Sequence, residues 1–285
     1  MELTIVVQNT GRGGLKTGAG QPQDRWPLLV ERISACEPDV VLLQELEGWT
    51  ADGHRQAARA QQDLGMDLLL TPSGSGLGTG ILFRRETLGR YVYWNTDYAI
   101  DETHHGLGTA GFAIPGLDSP LTFTSVHFTP YSADKAVMEA DFAASRSYKC
   151  GPYVIVGGDV NYPPQGGPEP AYGQMRPYNA GSRTVLTDPA SDAPLQPDRR
   201  VAWKLHANGL RDAAWELYQR SGDENVLAPT GTDDRIDQLW VSSPLVPALV
   251  SYRRLTEPDK ASDHDGLVVV IDTGLIDTTS PWTYR

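Results

Sequence analysis

Apolar residues fall into short runs that end on polar side chains, and this arrangement predicts most of the elements. Residues 3–8 are a mainly apolar, largely β-branched run that stops at Asn9, with Gly11, Gly13 and Gly14 beyond, and read as a first strand. Trp26, Leu29, Val30 and Ile33 then recur at helical spacing, with Asp24 as the expected cap and Pro27 in the permitted first turn. Val40-Val41-Leu42-Leu43 is apolar on both faces, as a deeply buried strand requires, and runs out at Gln44-Glu45. Residues 54–64, rich in Ala, Gln and Arg and closed by Gly65, predict a helix with a solvated face.

Three further runs, at 67–70, 79–84 and 91–94, have Gly-rich turns and no crossover helix between them, which predicts antiparallel neighbours. His104-His105-Gly106-Leu107-Gly108 reads as a surface loop. Residues 121–127 alternate as a strand, with His127 at the far end. Ser132 is the natural cap of a helix whose buried stripe is Ala136, Val137, Ala140 and Ala144. The next apolar run, Val154-Ile155-Val156, passes through Gly157-Gly158 to Asp159-Val160-Asn161. The glycines let the backbone bend tightly and let a ligand approach. On an extended chain Asp159 and Asn161, two apart, share a face.

Residues 162–200 form a Pro- and Gly-rich segment longer than mere connection requires. Its Tyr162, Arg176, Tyr178 and Arg183 suit contacts to phosphates and bases. Short helices are expected at 200–208 and 212–219, strands at 235–241 and 247–253, a polar turn at 261–266 and a last strand at 267–271. Nothing in the pattern splits the chain, so residues 1–285 are expected to form one domain.

The composition agrees with a globular protein: 40% apolar and 21% charged residues across 285 positions. No stretch approaches the roughly 18 consecutive apolar residues of a membrane span. The first residues read as a strand and not a basic leader, so a cytoplasmic protein is expected. With 24 basic and 36 acidic residues the formal net charge is −12, which disfavours sequence-blind wrapping of nucleic acid while leaving a short phosphate contact open. Cys36 and Cys150 have no metal-ligand spacing, so thiolate zinc is set aside.

The polar strand ends collect Asn9, Glu45, His127, Asp159, Asn161, Asp237, Asp263 and His264. Carboxylates and amides without thiols suit a hard divalent cation, Mg2+ or Mn2+. The order of these motifs resembles the endonuclease/exonuclease/phosphatase superfamily of Mg2+-dependent phosphoesterases. The resemblance runs from Gln8-Asn9 through Leu43-Gln44-Glu45, Ser125-Val126-His127, Gly158-Asp159-Val160-Asn161 and Arg235-Ile236-Asp237 to Ser262-Asp263-His264.

It implies an α+β fold: a four-layer α/β/β/α sandwich of two packed mixed β-sheets with outer helices, as in DNase I-like proteins. It also implies roles. Glu45 would be the main metal ligand, joined through water by Asn9 and Asp263. Asp159 would orient or deprotonate the attacking water, and Asn161 would hold a phosphoryl oxygen. His264 would contact the phosphate or act as base, with Asp237 fixing its tautomer, and His127 would donate to the phosphoryl oxygen or leaving group. Apart from the resemblance, the Arg and Tyr content of residues 162–200 makes Arg176, Tyr178 and Arg183 the expected substrate contacts. Two positions depart from the family pattern: Thr10-Gly11 replaces a second Asn or Asp after Asn9, and Gln238 stands where an aromatic residue is common. The expected function is hydrolysis of a phosphodiester or phosphomonoester by in-line attack of water, as a nuclease or a small-molecule phosphatase. The alternative, a non-catalytic phosphate-binding module that keeps the fold, would be favoured by loss of Glu45, Asp159 or His264, and all three are present.

Overall fold

A computed structural model describes residues 1–188, 190–256 and 261–279. In chain order the strands are β1 (Glu2–Asn9), β2 (Val40–Gln44), β3 (Asp67–Thr71), β4 (Thr79–Phe83), β5 (Tyr91–Asn95) and β6 (Leu107–Phe112). They continue with β7 (Leu121–His127), β8 (Val154–Asp159), β9 (Leu210–Asp212), β10 (Asp237–Ser242), β11 (Leu249–Leu255) and β12 (Gly266–Asp272). The helices are α1 (Trp26–Ser34), α2 (Arg55–Leu64), α3 (Arg85–Leu88), α4 (Ala133–Ser147), α5 (Pro177–Arg183), α6 (Arg200–Ala207) and α7 (Ala213–Ser221).

The strands make two six-stranded sheets, ordered β11-β12-β1-β2-β4-β3 and β5-β6-β7-β8-β10-β9. β1 with β2 and β7 with β8 run parallel, whereas the other described neighbours are antiparallel. Alternation decides what each face meets. Leu3, Ile5, Val7, Val40 and Leu42 of one sheet pack against Phe112, Phe123, Ile155, Leu239 and Val241 of the other. The intervening residues Val6, Val41 and Leu43 turn outward to Trp26, Leu29 and Ile33 of α1. On the opposite side Val154, Val156 and Trp240 meet the Ala stripe of α4 and Val201 and Leu205 of α6. Each such aliphatic side chain contributes about 1.5–3 kcal/mol on burial. The four layers expected from the resemblance are therefore present.

Several local expectations are corrected. The runs at 79–83 and 91–95 are not neighbours: α3 lies between them, and β5 joins the second sheet against β6. Residues 107–112 are a fully buried strand and not part of a loop. Arg25, not Asp24, is the residue preceding α1, although Asp24 Oδ1 accepts the Trp26 N–H at 3.3 Å. The glycines of β8 serve sheet packing and not ligand approach. A Cβ on Gly157 would stand 2.7 Å from Leu42 Cδ1 of the facing sheet, and one on Gly158, at φ 153°, would overlap the Val126 carbonyl oxygen. The two sheets are also tied by polar groups: Gln44 Nε2 donates to Ser125 Oγ at 3.1 Å, and that hydroxyl donates to the Leu43 carbonyl at 3.0 Å.

Candidate active site

Strand direction brings the polar ends together. β1, β2, β7 and β8 all finish at one edge of the sandwich with Asn9, Gln44, His127 and Asp159, and β10, antiparallel to β8, begins there with Asp237. In register, His127 lies opposite Asp159 and Asp159 opposite Asp237, so three strands present one row of ionisable side chains. The turn that enters β12 carries Ser262, Asp263 and His264 to the same edge, because β12 is antiparallel to β1.

The contacts are short and largely buried. His264 Nδ1 is 2.8 Å from Asp237 Oδ2, and His264 Nε2 faces Asp159 Oδ2 at 4.0 Å. His127 Nε2 faces the same Asp159 oxygen at 3.5 Å. Asn9 bridges the two sheets, its Nδ2 donating to Glu45 Oε1 at 3.3 Å and to Asp159 Oδ2 at 3.2 Å. Its Oδ1 accepts the Gly11 N–H at 3.0 Å. Glu45 has left-handed backbone geometry, φ 59°, and its Oε2 accepts the Arg12 N–H at 2.8 Å. Asn161, at φ 63°, closes an Asx turn with its N–H on Asp159 Oδ1 at 3.0 Å, and its Nδ2 donates to the Phe128 carbonyl at 2.9 Å. Ser262 fixes the last turn by donating to the Asn9 carbonyl at 2.7 Å and accepting the His264 N–H at 3.2 Å.

Burial and neighbouring charge set the protonation of this cluster. Burial opposes charge on His264, but Asp237, through its charge and its hydrogen bond, together with Asp159, outweighs it and holds the imidazole well above its ordinary pKa. Burial, then Asp237 and Glu45, raise the Asp159 carboxyl, while His264 pulls it down. His127 goes the other way, held well below 6.5 by burial and by the neighbouring imidazoles. The site thus pairs one imidazole inclined to charge with one inclined to stay neutral.

Both departures from the family pattern are accommodated. The space a side chain at position 11 would enter is taken by Asp263, whose Oδ1 lies 3.0 Å from where that Cβ would start. Gln238 is fully buried and satisfied, donating to the Tyr162 and Arg235 carbonyls at 2.8 and 3.0 Å and accepting the Trp240 indole N–H at 2.9 Å.

The expected substrate contacts are less uniform. Arg183 is buried and gives one guanidinium nitrogen to both oxygens of Asp234, each at 3.0 Å. Tyr162 is buried as well, whereas Arg176 and Tyr178 are exposed and bonded to each other at 3.0 Å. Two site residues were not anticipated. His105, expected at the surface, is 3% exposed and stacks on His127 with centroids 4.1 Å apart. Glu139 of α4 accepts the His104 and Thr129 N–H groups at 2.8 and 2.7 Å, clamping the two loops on either side of His127. Glu139 was visible as an acid inside an alanine stripe; His105 carried no such signal.

Among the described residues Asp159, Asp237 and His264 bring ligand-type atoms within 4.8 Å of one another, an arrangement that could hold a metal. No helix among the described residues is long and apolar enough to cross a membrane.

Comparison with known proteins agrees with this fold. Solved structures with the same fold include humanized D. rerio TDP2 (18% identity, TM-score 0.63, covering 95% of this chain and 99% of that one). The human Nocturnin catalytic domain with bound sulfate matches at 16% identity and TM-score 0.58, over 95% and 93% of the two chains. An endonuclease/exonuclease/phosphatase from Bacteroides vulgatus matches at 15% and 0.63, over 95% and 99%. No curated protein matches the sequence. The model of the Endonuclease/Exonuclease/phosphatase family matches residues 24–264, most of the chain and nearly all of the site. The chain belongs to the endonuclease/exonuclease/phosphatase family, whose members are generally hydrolases of phosphoester bonds.

Proposed function

We propose that this protein is a Mg2+- or Mn2+-dependent phosphoesterase that hydrolyses a phosphodiester or phosphomonoester by in-line attack of water. The supporting observation is the convergence of Asn9, Glu45, His127, Asp159, Asp237 and His264, from both sheets, within a few ångströms of one another.

The donor set fits a hard cation: Glu45, Asp159 and Asp237 bring three carboxylates to one edge with no thiol among them. Glu45 would hold the ion, with Asn9 and Asp263 taking part through water. Asp237 and Asp159 favour charge on His264, so we place the cation on the Glu45 side of the group. When bound, it offsets negative charge that builds on the phosphoryl oxygens.

In this reading Asp159 orients the attacking water and accepts its proton. His264, kept cationic by Asp237, donates to a phosphoryl oxygen and does not serve as the base. His127 stays neutral and donates to the leaving group. Asn161 spends one amide N–H on Phe128 and has its second for a phosphoryl oxygen. Arg176 and Tyr178 meet the substrate at the rim, and Arg183 acts through its charge beside Asp234. The unpaired thiols of Cys36 and Cys150 favour a cytoplasmic setting.

The test is a panel of phosphodiesters and phosphomonoesters, scored by plasmid nicking and by phosphate release, before and after chelation. Hydrolysis that chelator abolishes and Mg2+ or Mn2+ restores is expected. A full panel without metal-dependent turnover would leave only the binding-module reading.

A further inference from the structure

The two imidazoles of the site are held by different means. His264 has its Nδ1 fixed 2.8 Å from Asp237 Oδ2. His127 has no such anchor: its Nε2 faces Asp159 Oδ2 at 3.5 Å, while its Nδ1 is buried with no hydrogen-bond partner among the described residues. A histidine that moves a proton ordinarily has its tautomer and orientation set by the bond its second nitrogen makes. In His127 another contact must stop the ring from turning.

That contact is His105. Its ring centroid lies 4.1 Å from that of His127 and the two planes are 22° apart, so one face covers the other. The buried His105 ring is itself tethered, its Nδ1 lying 2.8 Å from Ser75 Oγ. Ser75 is fixed in turn: its Oγ accepts the Leu77 N–H at 3.2 Å, and its own N–H donates to Ser73 Oγ at 3.2 Å. The loop that carries His105 packs tightly on this segment, because a Cβ on Gly106, at φ 99°, would stand 2.8 Å from the Pro72 carbonyl oxygen. Burial, then His104 and Lys135, lower the His105 imidazole to about 3, so it stays neutral and adds no like charge to the stack.

We infer that His105 is a positioning residue for the reaction: its flat face, locked by Ser75, fixes the plane of His127 and so the direction in which Nε2 meets the leaving group. The inference rests on the phosphoesterase reading and adds a residue to its mechanism. Displacing a reacting group by about 1 Å can cost about 100-fold in rate. A ring free to rotate therefore shows in kcat, and KM holds because the buried His105 offers no surface to the substrate.

The test compares, in the full chain with Mg2+, His105→Phe, which keeps a flat ring, with His105→Leu, which fills the space without one. His105→Leu should lower kcat at least about tenfold with KM nearly unchanged, and His105→Phe should recover most of the loss at a similar melting temperature. Packing alone would treat the two alike, so equal kcat in both overturns the inference. Ser75→Ala, at an exposed position, leaves the core intact and should lower kcat in the same direction; where a ring variant does not fold, parental kcat in Ser75→Ala overturns the inference instead. Nuclear magnetic resonance of isotope-labelled histidine gives a readout that needs no turnover. The His127 ring should report one fixed tautomer in the parent and an averaged one in His105→Leu, and resonances unchanged by His105→Leu and Ser75→Ala overturn the positioning role. Averaging that appears in the variants of a protein with no metal-dependent hydrolysis upholds the hold of His105 on His127 and removes the catalytic reading instead.

Discussion

Glu139 gives the most demanding test, because its stability effect and its place beside the site come from the same two hydrogen bonds. Burial pushes its carboxyl up to about 7, from 4.5 for an exposed glutamate, and the His104 and Thr129 N–H groups pull against that without winning. A carboxyl whose folded pKa is raised binds its proton more tightly in the fold than in the unfolded chain. Its contribution is complete below about pH 4.5 and is lost as pH rises through about 7. A gap of about 2.5 pH units, at about 1.4 kcal/mol per unit, amounts to about 3.5 kcal/mol in full, of which about 3 kcal/mol is lost between pH 4.5 and 8. Glu139→Gln abolishes this titration but sets an amide NH2 against one of two backbone donors, at a cost of about 1–3 kcal/mol at every pH. Urea unfolding of both proteins from pH 4.5 to 8 should find the parent more stable at the acid end and the gap shifting by about 3 kcal/mol in the variant's favour by pH 8. Parallel stability curves would refute the account of a buried, strained carboxylate. The variant's kcat should fall more than its KM rises, since the clamp positions His127 and not the substrate.

Glu45→Ala should raise the Mg2+ concentration needed for half-maximal activity, read from a metal titration; an unchanged requirement places the ion elsewhere. Asp159→Asn and His264→Ala should each lower kcat by at least about 100-fold, the scale of one general acid or base, and near-parental turnover in both would exclude the site assignment. In Asp237→Asn the alkaline limb of the kcat profile should move to lower pH, because the largest influence holding the proton on His264 is gone; a limb that stays in place would detach His264 from Asp237. Gly158→Ala forces a Cβ against the Val126 carbonyl and should cost roughly 1–3 kcal/mol or more, seen as a lower melting temperature, whereas an unchanged melting temperature would mean that β7 and β8 can part freely.

Much of the site was readable because its members are local signals: Asn9, Glu45, His127 and Asp159 each terminate an apolar run, and a run's end is defined by a few neighbours in sequence. Sheet membership was not readable in the same way. Residues 91–95 follow 79–83 closely, yet they pair with β6 in the other sheet, a choice made by long-range packing that no local pattern encodes. The role of Gly157 was misjudged for a related reason, since what fills the space above it is Leu42, more than a hundred residues away. Arg183 looked like a phosphate fork because its partner Asp234 lies 51 positions on and only the fold unites them.

The hydrogen-bonded link from Gln44 through Ser125 to the Leu43 carbonyl sets the separation of two half-sites that belong to different sheets. Engineering should treat these two regions oppositely. Exposed rim positions such as Arg176 and Tyr178 can be exchanged to retarget the protein, since they do not gauge the distance between Glu45 and Asp159. Libraries that randomise positions 44, 125 or 157 should instead lose turnover on every substrate together.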